Sequence, residues 1–170
     1  MTEQFVPTVF AAALEAARAM LAEEQATKYR SDRYQVSTPE DAASLLQPYF
    51  AGREQEVFAV LLLDTRMRPL QSALLYKGTI NATKVRVAEV FRDAVKTNAR
   101  AIIVAHNHPS GDTRPSNEDL AFTLDLIQGG EVLDIPVLDH LIFGAGNDWI
   151  SIHRKRPDLG WKTEEKYLEV

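Results

Sequence analysis

AIIVAHNHPSGDTRPSNEDL, residues Ala101 to Leu120, is the stretch on which the reading of this chain turns. It opens with five apolar, β-leaning residues, the mark of a buried strand. On a strand, side chains two positions apart point the same way, so His106 and His108 at its exit present both imidazoles to one point. The turn material PSGDTRP then reverses the chain, and Ser116 opens a helix with Asp119 in its first turn. That carboxylate can swing back toward the two rings. Two of the chain's four histidines and an acid thus fall around a single turn.

Working outward, the spacing of Val9, Phe10, Ala13, Leu14, Ala17, Met20 and Leu21 predicts an amphipathic helix from Pro7 to about Tyr29, packed on the domain or on a second copy. STPEDAASLLQPYF predicts a second helix, capped by Ser37 or Thr38, with Pro39 in its first turn and Glu40 and Asp41 at its N-terminus. EVFAVLLLD and LQSALLYKG read as antiparallel strands joined by TRMRP. KVRVAEVFRDAVKTNAR is a helix ending near Asn98, and SNEDLAFTLDLIQGG a core-facing helix stopped by Gly129 and Gly130. IPVLDHLIFG and the short WISIH read as two further strands. The order predicts a single α/β (α+β) domain with a mixed sheet flanked by helices, plus an extra N-terminal helix.

With no cysteine in the chain, a metal has to be held by histidine and carboxylate. His106, His108 and Asp119 make a three-ligand set suited to one Zn²⁺ per chain, with a fourth position open for water. Zinc-assisted hydrolysis also needs a base. Glu56, at the start of a core strand expected beside AIIVAH, is placed for that task, and Glu89, on a helix, is the alternative. Ser116 would steady the developing oxyanion. Asp139 and His140 are either groups that orient a ligand ring or a satisfied polar pair in a strand. Ser116 and Asp119 also form an ordinary capping box, which by itself asks for no metal.

The pattern HxHPx(6)SxxD, carried by His106, His108, Pro109, Ser116 and Asp119, resembles that of the JAB/MPN metallopeptidases with the JAMM motif. HNHPSGD, PSNED, LLYKGTIN and VLDHLIFG are similar to the bacterial RadC branch of that family. The resemblance runs from about Thr38 to His153. It implies the JAB/MPN fold, His106, His108 and Asp119 as zinc ligands, Glu56 as the catalytic carboxylate and Ser116 as the hydroxyl on the oxyanion side. It divides the chain into an N-terminal helical extension (1–35), a RadC-like JAB/MPN domain (36–156) and a C-terminal tail (157–170). Where the branch usually opens its middle helix with an Arg-Glu pair, this chain has Ala88 and Glu89.

The function expected is a zinc metallopeptidase or isopeptidase acting on a protein or peptide, such as the tail of a ubiquitin-like modifier, held extended beside an exposed strand. A second reading is a RadC-type factor associated with DNA repair or mobile elements, with the basic run HRKR (153–156) as its contact to DNA. The net charge of −5 supplies no bulk field for a polyanion and argues against it. A third reading is a non-catalytic MPN scaffold, although scaffold members of the family typically lose ligands. The sequence shows no membrane-spanning run of about 18 apolar residues and no signal segment, so a cytoplasmic protein is expected. The amphipathic N-terminal helix makes a homodimer plausible.

Overall fold

Three strands of the sheet, β1 (Val57–Leu63), β3 (Ala101–Asn107) and β4 (Val137–Phe143), are buried at every one of their seven positions. A strand covered on both faces has no reason to alternate polar with apolar residues, which explains the unbroken runs VFAVLLL and AIIVA. The computed structural model describes residues 34–77 and 85–162, together with positions 13, 16, 17 and 20. Within it β2 (Pro69–Lys77) and β5 (Trp149–Ser151) complete a five-stranded sheet of order β2-β1-β3-β4-β5. β1 pairs antiparallel with both β2 and β3, β3 pairs parallel with β4, and β4 pairs antiparallel with β5. The expected mixed sheet and hairpin are present. In the hairpin turn the Asp64 carboxylate accepts from the backbone N–H groups of Arg66 and Arg68.

Each face of the sheet carries its own core. On one, Val57, Ala59, Leu61, Ile103 and Ala105 pack with α1 (Pro39–Leu46), and Phe50 stacks on Phe143 with ring centroids 4.5 Å apart. Thr38 and Asp41 form the capping box that starts α1. On the other face, Phe58, Val60, Leu62, Ile102 and Val104 pack with α2 (Val87–Lys96) and α3 (Asn117–Leu133). A parallel pair needs a crossover, and here it is α3 that carries the chain from β3 to β4. The chain therefore leaves the carboxyl end of β3 through residues 108–116, which brings the first turn of α3 over that end.

Two expectations need correction. Gly129 and Gly130 do not stop α3. The helix runs on to Leu133 and ends on Asp134, which adopts the left-handed conformation with φ 55°. The glycines serve packing: a Cβ on Gly129 would meet Val87 Cγ1 at 2.7 Å, and one on Gly130 would meet the Ile135 carbonyl oxygen at 2.5 Å. The WISIH segment is a strand only to Ser151, whose hydroxyl caps a short helix, α4 (Ile152–Lys155). Beyond α4, Trp161 stacks on His153 at 4.7 Å and donates to the Arg156 carbonyl oxygen. Most of the N-terminal helix lies outside the described residues. Its positions 13, 16, 17 and 20 are helical and exposed.

The 2.5 Å approach at Gly130 is to backbone, which cannot step aside as a side chain can. Gly130→Ala is expected to destabilise the fold by about 1–3 kcal/mol, outweighing the better helix propensity of alanine. Urea denaturation of the two proteins measures the difference, while an exposed control such as Val132→Ala should change little.

Candidate functional site

His106 is the second-last residue of β3 and is only 2% exposed. His108 lies just past the strand, yet its N–H still donates to the Phe143 carbonyl oxygen at 2.8 Å, so the extended geometry continues and both rings fall on one side. Their Nε2 atoms are 3.0 Å apart. Asp119 closes the group from α3, with Oδ1 3.2 Å from His106 Nε2 and Oδ2 3.3 Å from His108 Nε2.

The capping box and the site turn out to be one device. Ser116 Oγ accepts from the Asp119 N–H at 3.1 Å, and Asp119 Oδ2 accepts from the Ser116 N–H at 2.7 Å. These bonds lock the carboxylate in the orientation that faces the rings. The loop before α3 is itself pressed into place. Gly111 has φ 85°, and a Cβ on Gly144 would lie 2.5 Å from the Gly111 carbonyl oxygen, so the β4–β5 turn holds residues 111–113 against the sheet end.

Hydrogen bonds on the outer nitrogens decide what the inner ones offer. His108 Nδ1 is 2.6 Å from the Asp112 carbonyl oxygen, which can only accept, so the proton of the neutral ring sits on Nδ1 and Nε2 presents a lone pair. His106 Nδ1 is engaged with His140 Nε2 at 2.7 Å. Burial, and then the neighbouring His106, pushes His140 well below the ordinary histidine range and keeps it neutral. Burial would raise the Asp119 carboxyl, but its contacts with the His106 and His108 rings prevail and hold it far below the usual carboxylate range. The same contact with Asp119 raises His108, against the opposing effect of burial. A carboxylate and ring nitrogens this close call for a cation between them, either a proton on His108 or a metal ion.

The donor set fits zinc. A tetrahedral ion with bonds of about 2.0–2.1 Å separates its ligand atoms by roughly 3.3 Å, close to the 3.0–3.3 Å found among these three groups. Ligand atoms of Glu56, His106 and His108 also lie within 4.8 Å of one another. Of the two overlapping triads, the one containing Asp119 is tighter, which leaves the Glu56 carboxylate within reach of the same point. Glu56 stands one residue ahead of β1 rather than in it. Glu56, Ser116, Pro109, Glu118 and Phe122 line a cleft of about 430 Å³ over the histidines.

Other predicted residues are elsewhere. Glu89 does not reach the cleft; as the third residue of α2 its carboxylate accepts from the Arg86 N–H, a cap at the helix start. Asp139 is fully buried but faces away, accepting from the N–H groups of His140 and His153. Only His140 of that pair joins the site. Within the HRKR run the side chains differ in setting. His153 is buried and pushed below its ordinary value by that burial, Arg154 pairs with Glu40, and Arg156 pairs with Asp158. The edge strands β2 and β5 are each one strand removed from β3. Among the described residues, no helix is long and apolar enough to cross a membrane.

Two contributors escaped the sequence reading. Asn107, between the histidines, points to the opposite side, where its Oδ1 accepts from the Val57 N–H at 2.8 Å and its Nδ2 donates to the Gln55 carbonyl oxygen at 3.2 Å. It clamps the backbone on both sides of Glu56. An amide at the end of a buried strand was the available signal, since such a group needs partners. Thr123, one turn beyond Asp119, bonds to His140 and left no signal apart from its spacing.

Residues 36–157 match the family described as RadC-like JAB domain. The chain is 45% identical over 115 residues to a UPF0758 protein of Roseiflexus castenholzii, covering 68% of this chain and 49% of the relative. It is 44% identical over 124 residues to one of Chloroflexus aggregans, covering 73% and 54%, and 43% identical over 113 residues to one of Staphylococcus epidermidis, covering 66% and 50%. The chain thus spans about half the length of these curated relatives.

Removing the clamp should loosen the start of β1. Asn107→Ala leaves the buried N–H of Val57 unpaired and is expected to cost about 1–3 kcal/mol, read from urea denaturation. Faster hydrogen exchange at Val57 is the accompanying local signature.

Proposed function

Since this chain belongs to the RadC-like JAB domain family, we propose that it is a zinc-dependent hydrolase of peptide or isopeptide bonds, working by the JAMM arrangement of residues. The observation that carries this reading is the convergence of His106 Nε2, His108 Nε2 and the Asp119 carboxylate at 3.0–3.3 Å, with Glu56 facing the same point. His106, His108 and Asp119 would hold the ion. Zinc bound there supplies a Lewis acid and lowers the pKa of water toward about 7.

The chain's own residues divide the remaining work. Glu56 takes a proton from the attacking water and returns it to the leaving nitrogen. Asn107 keeps that carboxylate aimed by holding the residues on either side of it. The Ser116 oxygen already accepts from the Asp119 N–H, which leaves its own proton to donate to the oxygen that gains charge as the carbonyl is attacked. Phe58 lies nearly parallel to the His106 ring, with centroids 6.4 Å apart, and Phe122 meets Phe58 edge-on at 5.7 Å. These rings form an apolar floor that keeps bulk water from the reacting groups. The substrate proposed is an extended protein or peptide segment, with the tail of a ubiquitin-like modifier as one form.

Metal analysis of the purified protein tests the reading. About one zinc per chain is expected in the wild type and none in His106→Ala or Asp119→Ala, whereas a folded wild type that takes up no zinc when supplied overturns the proposal. Glu56→Gln should keep the ion and lose cleavage of a peptide or ubiquitin-like reporter by about 10²–10⁴-fold. Loss of the ion in that variant would make Glu56 a ligand instead of the base.

Zinc has to displace the proton that Asp119 helps His108 to retain. Because His108 is raised, that competition begins at a higher pH than for an ordinary histidine. Apparent zinc affinity is expected to be flat above the raised value and to fall by about tenfold per pH unit below it, as one proton is exchanged per ion. Competition with a chelating dye across the pH range measures this.

A further inference from the structure

Thr123 is fully buried on α3, and its Oγ lies 2.6 Å from the Asp119 carbonyl oxygen and 2.7 Å from His140 Nδ1. Two oxygens 2.6 Å apart need a proton between them, and a carbonyl has none to give. The hydroxyl proton therefore points to Asp119, which leaves Thr123 Oγ as the acceptor for His140. His140 must then carry its proton on Nδ1. A neutral imidazole has one N–H, so His140 Nε2 is an acceptor, and it lies 2.7 Å from His106 Nδ1. His106 must donate from Nδ1, and its Nε2 is left as a lone pair 3.2 Å from the Asp119 carboxylate.

The geometry points to Thr123 as a positioning residue that acts through His140 to dictate the tautomer of His106, and so makes His106 Nε2 available to a cation. The path is closed: it starts at the backbone carbonyl of Asp119 and ends beside the carboxylate of the same residue. No proton is gained or lost along it; only the choice of nitrogen is set. His108 has a simpler arrangement, a direct bond from Nδ1 to the Asp112 carbonyl oxygen. His106 is buried at the sheet end, and its tautomer is set at two removes, through a second ring and a hydroxyl. Orienting partners of this kind typically contribute 10–100-fold to metal affinity.

The consequence for metal binding rests on the zinc reading, but the tautomer does not, so the test has two parts. Long-range ¹⁵N–¹H spectra of metal-free protein labelled in histidine report which nitrogen of each ring is protonated. Wild type and Thr123→Ser are expected to show Nδ1–H on both His106 and His140. Thr123→Val, which keeps the shape and removes the acceptor, is expected to show the Nε2–H form of His106. Zinc affinity by chelator competition should fall about 10–100-fold in Thr123→Val and be restored in Thr123→Ser. Wild-type tautomers in Thr123→Val, or an Nε2–H form of His106 in the wild type, would overturn the inference. Expected tautomers in a wild type that binds no zinc would uphold the relay and defeat the metal reading alone.

Discussion

An ionised carboxylate taken partly out of water must be compensated, and Asp119 accepts from the Ser116 N–H while it faces the His106 and His108 rings across a gap that calls for a cation. The arrangement around the end of β3 follows from that requirement. The helix α3 has to start where its cap can turn the carboxylate inward, and the loop 108–115 has to be short and tightly held to bring it there. With both outer ring nitrogens already occupied, the inner ones have only Asp119 and each other to face. Desolvation strengthens the attraction for a cation at this point and also makes the cavity costly to leave without one.

The sheet supplies the rigidity that such a group needs. β3 lies between β1 and β4 and is packed on both faces, so His106 stands on a strand that cannot easily shift. Glu56 comes from the neighbouring strand's start, where Asn107 fastens it to β3 itself. Glu56 and the histidines are therefore referenced to the same strand. Gly129 and Gly130, by letting α3 lie close to α2 and to the entry of β4, set the height of the helix whose first turn carries Asp119 and whose second carries Thr123. Packing far from the cleft in this way determines distances inside it.

Legibility differed from residue to residue. The buried strands were plain because a sheet covered on both sides demands continuous apolar runs, and the start of α3 was plain because Ser116 and Asp119 form a local signal. Gly129 and Gly130 misled, since the same residue type serves a helix stop and a close helix contact, and only the neighbours Val87 and Ile135 tell these apart. Glu89 stood only as the alternative to Glu56; its position three residues into a helix is equally that of a capping acid, and there its carboxylate accepts from the Arg86 N–H. In HRKR, sequence cannot show that Glu40, more than a hundred positions away, meets Arg154. Asn107 and Thr123 were passed over because their partners, Gln55, Val57 and His140, are distant in sequence.

What the sequence by itself determined was of short range: the period of the buried strands, the capping boxes that start α1 and α3, and the two-residue spacing that sets His106 and His108 on one side of β3. These follow from backbone geometry and need no knowledge of the rest of the chain. What only the tertiary structure decided was convergence and protonation. Strand order brings Glu56 beside β3, and the crossover brings Asp119 over its end. The hydrogen bonds from Thr123 through His140 settle which nitrogen of His106 carries the proton. Those outcomes depend on distances between elements, and such distances are set by packing of the two cores on either face of the sheet.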